Sequence, residues 1–87
     1  MSVTIYTRQT CFYCVRAKAL LNQLGASFNE IPVDADRDQY AAMQKASGRT
    51  SVPQIWIDDT HVGGCDELYA LHRAGKLQAM LDGPAAT

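Results

Sequence analysis

The sequence predicts an α/β domain of three layers, a four-stranded mixed sheet flanked by three main helices plus a short C-terminal helical turn. Two observations carry this. A strand-period run at residues 3–7, a helix-period run at 12–24 and a second strand-period run at 27–33 make a β-α-β unit, whose right-handed crossover sets the two strands parallel. Further on, Gln54-Ile55-Trp56-Ile57 and Thr60-His61-Val62 flank Asp58-Asp59, the pattern of an antiparallel hairpin.

Taken in order, residues 2–7 are a short strand, because Val3, Thr4, Ile5 and Tyr6 suit a pleated, largely buried position. Residues 7–10 are a loop. In the helix that follows, Ala17, Leu20, Leu21 and Leu24 take the i, i+3, i+4, i+7 positions, and Arg16, Lys18, Asn22 and Gln23 occupy the other face. Gly25 ends it as a left-handed cap. Pro32 cannot donate a ladder hydrogen bond, so it marks an edge strand or a strand end. Asp34 or Asp36 caps a second helix reaching about Ser47, with Tyr40 and Met43 inward and Gly48 as its stop. The hairpin lacks the usual glycine of a tight two-residue turn, and Trp56, between Ile55 and Ile57, reads as a sheet residue covered by a helix. After Gly63-Gly64, the acids Asp66 and Glu67 favour the start of a third helix, with Leu68 and Leu71 facing the core and Gly75 closing it. Leu77, Met80 and Leu81 suggest one or two last helical turns.

Eighty-seven residues hold one core, which places a single domain at residues 1–82 and a frayed tail at 83–87. A hydrophobic share of 47 % and a charged share of 20 % exclude a disordered chain. The formal net charge of −1 gives no overall drive toward nucleic acid or anionic membrane. No run approaches the roughly 20 consecutive apolar residues of a membrane span, and the N-terminus is too polar for a signal peptide. A cytoplasmic protein is expected, with neither nucleic acid nor membrane as partner.

Three cysteines argue against a framework of paired structural disulfides. Cys11 and Cys14 lie where a strand ends and a helix starts, and the unpaired N–H groups of a helix N-terminus favour a thiolate over a thiol. Cys11 is expected at or before the first turn, facing solvent. Cys14 falls on the buried stripe with Ala17 and Leu21, close enough to Cys11 for a disulfide. One thiol attacks and the other resolves. A structural zinc site is disfavoured, because Cys65, His61 and His72 stand at the wrong intervals to complete four ligands. His61 and His72 read as surface or packing residues, Cys65 as a partly buried structural thiol, and Arg37 and Arg49 as solvated charges.

The order β-α-β then α-β-β-α, with Cys-x-x-Cys after the first strand and a proline opening the third, resembles the thioredoxin fold. Ile5-Tyr6-Thr7, Cys11-x-Tyr13-Cys14, Ser51-Val52-Pro53-Gln54-Ile55 and Gly63-Gly64-Cys65-Asp66 are together similar to the short bacterial dithiol glutaredoxins, over residues 2–81. The resemblance implies a cis Pro53 lying against the cysteines. It implies a glutathione groove lined by Arg8, Tyr13, Ser51, Val52, Pro53, Gly64, Cys65 and Asp66. Val52 would offer its backbone N–H and C=O as a sheet edge does to an added strand. Arg8 would attract the glycine carboxylate, and the Cys65 amide with the Asp66 carboxylate would hold the γ-glutamyl end. The family usually has proline where this chain has Phe12.

The implied function is a glutathione-dependent thiol-disulfide oxidoreductase with Cys11 and Cys14 as catalytic residues, at a class potential of about −200 to −230 mV. Glutathione is the co-substrate, and no tightly bound cofactor or metal site is expected. The implied partners are disulfide-bonded or glutathionylated proteins and, through glutathione, glutathione reductase, with the chain a monomer. The alternative is a [2Fe-2S] carrier or sensor in which Cys11 of two subunits and glutathione hold the cluster. A redoxin served by thioredoxin reductase is a third reading, against which Ser51-Val52-Pro53 and Gly64-Cys65-Asp66 argue.

Overall fold

The computed structural model describes residues 2–82, so the tail expected at 83–87 lies outside the described residues. The chain runs β1 (Val3–Thr7), α1 (Phe12–Gln23), β2 (Asn29–Pro32), α2 (Arg37–Ser47), β3 (Gln54–Ile57), β4 (Thr60–Gly63), α3 (Cys65–Arg73) and α4 (Leu77–Asp82). The strands make one sheet in the order β2-β1-β3-β4, with β1 and β2 parallel and the other pairs antiparallel. This is the expected mixed sheet. Among the described residues no helix is long and apolar enough to cross a membrane.

One face of the sheet carries Val3 and Ile5 of β1 and Ile55 and Ile57 of β3, alternate residues that point the same way. Against them pack Ala17, Leu20 and Leu21 of α1, Leu68 of α3, and Leu77 and Leu81 of α4. Each fully buried Leu contributes roughly 1.5–3 kcal/mol relative to an exposed one, so the helical stripe anchors α1, and the cysteines at its head, to the sheet. Met43 of α2 is buried apart from this cluster. Trp56 is half-buried, with Tyr6 edge-on at 5.4 Å and His61 stacked at 4.5 Å as its aromatic neighbours.

Local chemistry explains the element ends. Asp36 rather than Asp34 caps α2, accepting from the N–H groups of Asp38 and Gln39 at 2.9 and 3.3 Å. Asp34 instead accepts from the Gln9 N–H at 3.0 Å and so holds the loop leading to Cys11. Pro32 ends β2, which is an edge strand. In the β3–β4 turn Asp58 takes the left-handed conformation (φ 52°) that glycine usually supplies. Its carboxylate accepts from the Ser2 N–H at 2.8 Å while its own N–H donates to the Ser2 carbonyl at 2.7 Å, so the turn is fastened to the start of β1.

Strand register assembles the site. Tyr6, next to the end of β1, pairs with Gln54 at the start of β3, and Ile55 pairs with Gly63 at the end of β4. The segments leading to Cys11, from Pro53 and into Cys65 therefore emerge at one end of the sheet, where these strands begin or finish. At that end the buried Thr7 hydroxyl donates to Glu30 at 2.8 Å and Lys18 pairs with Glu30 at 2.9 Å, tying β1, β2 and α1 together.

Candidate active site

Cys11 is the N-cap of α1, with extended backbone (φ −131°, ψ 109°), and its Sγ accepts the Cys14 N–H at 3.1 Å. A cysteine thus does what Ser or Asp does at other helix starts. The Val15 N–H donates to the Cys11 carbonyl at 3.1 Å and closes the first turn. Cys11 is half-exposed, whereas Cys14 is buried at 1 % exposure. Burial is the main force pushing the Cys14 thiol up to about 12, with the adjacent Cys11 adding to it and an Arg8 backbone N–H opposing it. At neutral pH Cys14 is a thiol. Cys11 and Cys14 are both free thiols, and their exposure differs in the sense the helical spacing predicted.

Across from Cys11 lies Val52, whose carbonyl oxygen is 3.7 Å from Sγ, and the Val52–Pro53 peptide is cis, as the resemblance implied. Beside it opens a groove of about 330 Å³. Of the expected glutathione contacts, Tyr13, Ser51, Val52, Pro53, Gly64, Cys65 and Asp66 line it. Arg8 does not: its guanidinium stands 5.3 Å from the centre of the Tyr40 ring. Cys65 is buried at 5 % exposure, and burial raises its thiol above the usual range.

Three further groove residues were outside the expected set. Glu67, at the third position of α3, accepts the Gly64 N–H at 2.6 Å and pairs with Arg49 at 2.9 Å. The Gly64 N–H and then Arg49 hold its carboxyl below the usual carboxylate value. A Cβ at Gly63 (φ +116°) would come within 2.5 Å of the Glu67 Oε1, so both backbone conformation and space require glycine there. Arg49, expected as a solvated charge, is exposed and in addition paired with Glu67 at the groove wall.

Gln54 is the third. It is fully buried, and its Nε2 donates to the Ser51 carbonyl at 3.0 Å and to Ser51 Oγ at 3.3 Å. Because a carbonyl can only accept, the amide nitrogen must face Ser51 and Oε1 must face His61 at 2.8 Å. His61 therefore carries a proton on Nε2. Burial, with Arg49 nearby, lowers its tendency to take a second one. Gln54 thus buttresses the groove wall from beneath. The sequence signal was a polar residue directly after Pro53 in an otherwise apolar strand.

A glutaredoxin family model matches residues 3–62, which include both cysteines and the Ser51-Val52-Pro53 segment. Glutaredoxin 3 of Escherichia coli is 55 % identical over 80 residues, covering 92 % of this chain and 96 % of that protein. The solution structure of a Brucella melitensis glutaredoxin is 56 % identical with a TM-score of 0.83, covering 93 % of this chain and 88 % of that one. The crystal structure of a buckwheat glutaredoxin–glutathione complex is 37 % identical with a TM-score of 0.86, covering 92 % and 76 %. A Cys-x-x-Cys helix start facing a cis proline beside a groove, on this sheet and with these likenesses across most of the chain, places the protein in the glutaredoxin family of glutathione-dependent disulfide oxidoreductases.

Proposed function

We propose that Cys11 is the nucleophile and Cys14 the resolving thiol in the reduction of protein disulfides and glutathione mixed disulfides. The observation that carries this reading is the unequal setting of the two sulfurs. Cys11 Sγ is accessible and receives a helix N-terminal N–H, while Cys14 is buried and kept protonated.

On a glutathionylated protein, the Cys11 thiolate attacks the glutathione sulfur, a Cys11–glutathione disulfide forms, and the protein leaves as its thiolate. A glutathione thiolate then attacks that disulfide at the glutathione sulfur, releasing oxidised glutathione and the Cys11 thiolate. On a protein disulfide, Cys11 forms a mixed disulfide with one sulfur and the other leaves. Cys14 gives up its proton, displaces the remaining protein thiolate and leaves a Cys11–Cys14 disulfide, which two glutathiones reduce in turn. Glutathione is oriented by the Val52 backbone, with Tyr13, Ser51, Pro53, Gly64, Cys65 and Asp66 around it. The buckwheat complex supports glutathione as the ligand. Arg8, standing outside the groove lining against Tyr40, would serve the glycine carboxylate from beyond that lining. The reading extends to a monomer of one domain at residues 1–82 in the cytoplasm, where glutathione reductase keeps glutathione reduced and disulfide-bonded or glutathionylated proteins are the substrates.

The test is trapping. The Cys14→Ser chain treated with oxidised glutathione should retain one glutathione on Cys11, seen by intact mass and peptide mapping. A glutathione found on Cys65 in place of Cys11 would refute the assignment.

A second reading, a [2Fe-2S] cluster held by Cys11 of two subunits with glutathione, rests on the half-exposed Cys11 and on Phe12 in the usual proline position. Among the described residues no group of three or more Cys, His, Asp or Glu is placed to hold a metal ion, so a cluster would require the second chain. A colourless chain after anaerobic purification with glutathione would count against it.

A further inference from the structure

Among the described residues the exposed large hydrophobic side chains are Phe12 (70 %), Tyr13 (53 %) and Val15 (57 %), all within four positions of Cys11. Tyr13 belongs to the groove. Phe12 and Val15 are used by nothing in the reaction above. Beside them the Arg16 guanidinium lies 6.0 Å from the centre of the Phe12 ring and 5.0 Å from that of Tyr69, whose hydroxyl donates to the Arg16 carbonyl at 3.4 Å. Two aromatic rings thus hold the cation in place. Among the described residues no carboxylate lies within salt-bridge distance of it, since the ion pairs there are Lys18–Glu30 and Arg49–Glu67.

An apolar surface with a fixed, unpaired arginine has the composition of a binding hot spot. Its position says what covers it. A glutathionylated protein can react only if its disulfide reaches Cys11 Sγ; its glutathione takes the groove beside Val52, and the exposed apolar surface left for the residues flanking its cysteine is the first turns of α1. A symmetric contact between two copies of this chain would instead bring like charges together.

We infer that Phe12, Val15, Arg16 and Tyr69 form a docking surface for the polypeptide flanking the disulfide-bonded cysteine of a protein substrate, selecting segments that pair an apolar residue with a carboxylate. This rests on Cys11 being the nucleophile. The surface makes the enzyme discriminate among protein substrates while leaving small disulfides alone, because a small disulfide does not reach beyond Cys11 and the groove.

The experiment compares kcat/KM of the full chain for two glutathionylated synthetic peptides, identical except for Leu and Asp or Leu and Lys beside the cysteine. The glutathionyl mixed disulfide of 2-mercaptoethanol is the small substrate. The native chain should favour the acidic peptide by roughly 3- to 10-fold, and the preference should shrink at high salt. Arg16→Glu should reverse it. Phe12→Ser should lower both peptides several-fold, with the small disulfide within about twofold in every variant. Both side chains are exposed, and circular dichroism checks that the variants fold; Arg16→Glu alone decides the matter if Phe12→Ser does not. Equal rates on the two peptides, or an Arg16→Glu loss as large on the small disulfide as on the acidic peptide, would overturn the inference. A native chain with no turnover of the small disulfide would overturn the catalytic reading beneath it.

Discussion

Gln54 decides how the groove wall is held. Its one amide satisfies the Ser51 carbonyl, the Ser51 hydroxyl and His61 Nε2, so Gln54→Leu strips partners from three polar groups at once. We expect a loss of about 1–3 kcal/mol, read as a lowered urea midpoint. We also expect KM for the glutathione mixed disulfide to rise more than kcat falls, because the change acts on the wall and leaves Cys11 in place. Gln54→Glu should share the KM defect at neutral pH, since a carboxylate accepts from His61 but cannot donate to Ser51. An unchanged KM in both variants would contradict the buttress. Gln54 was not legible as a site residue, because its role depends on what register places above and below it. The contrast between Cys11 and Cys14 was legible, because it follows from helical spacing alone.

The N-terminus of α3 shows the same division among elements. Asp66 and Glu67 marked a helix start in the sequence, and α3 begins at Cys65 as that predicts. That Glu67 would also reach back to the Gly64 N–H and across to Arg49 needed the fold. Its carboxyl is held below the ordinary value of 4.5, so it stabilises the fold in its charged form above that value. The contribution disappears as pH falls through the folded-state value. The urea midpoint of the native chain should therefore drop as pH falls below about 4.5, and that of Glu67→Gln should drop less steeply. Parallel curves for the two chains would contradict the assignment. The β3–β4 turn was placed correctly without its glycine because Asp58 tolerates the left-handed region and gains two hydrogen bonds to Ser2.

At the scale of the whole molecule, the site exists because the strand order β2-β1-β3-β4 gathers three chain segments at one end of the sheet. The elements themselves were legible from local periodicity, and the β-α-β crossover fixed one pairing. The antiparallel pairing of β1 with β3 was not readable from periodicity, because it joins segments far apart in the chain. The position of Arg8 over Tyr40, outside the groove, is likewise a property of the assembled loops. The segments gathered there set an accessible sulfur at a helix start opposite Val52 and put its partner thiol underneath. On the proposed mechanism, that arrangement should make Cys11 indispensable and Cys14 necessary only for protein disulfides. The most direct test is steady-state reduction of the glutathionyl mixed disulfide of 2-mercaptoethanol, coupled to glutathione reductase, for the native chain, Cys11→Ser and Cys14→Ser. Turnover abolished in Cys11→Ser and retained in Cys14→Ser is the predicted result; turnover that survives in Cys11→Ser would contradict it.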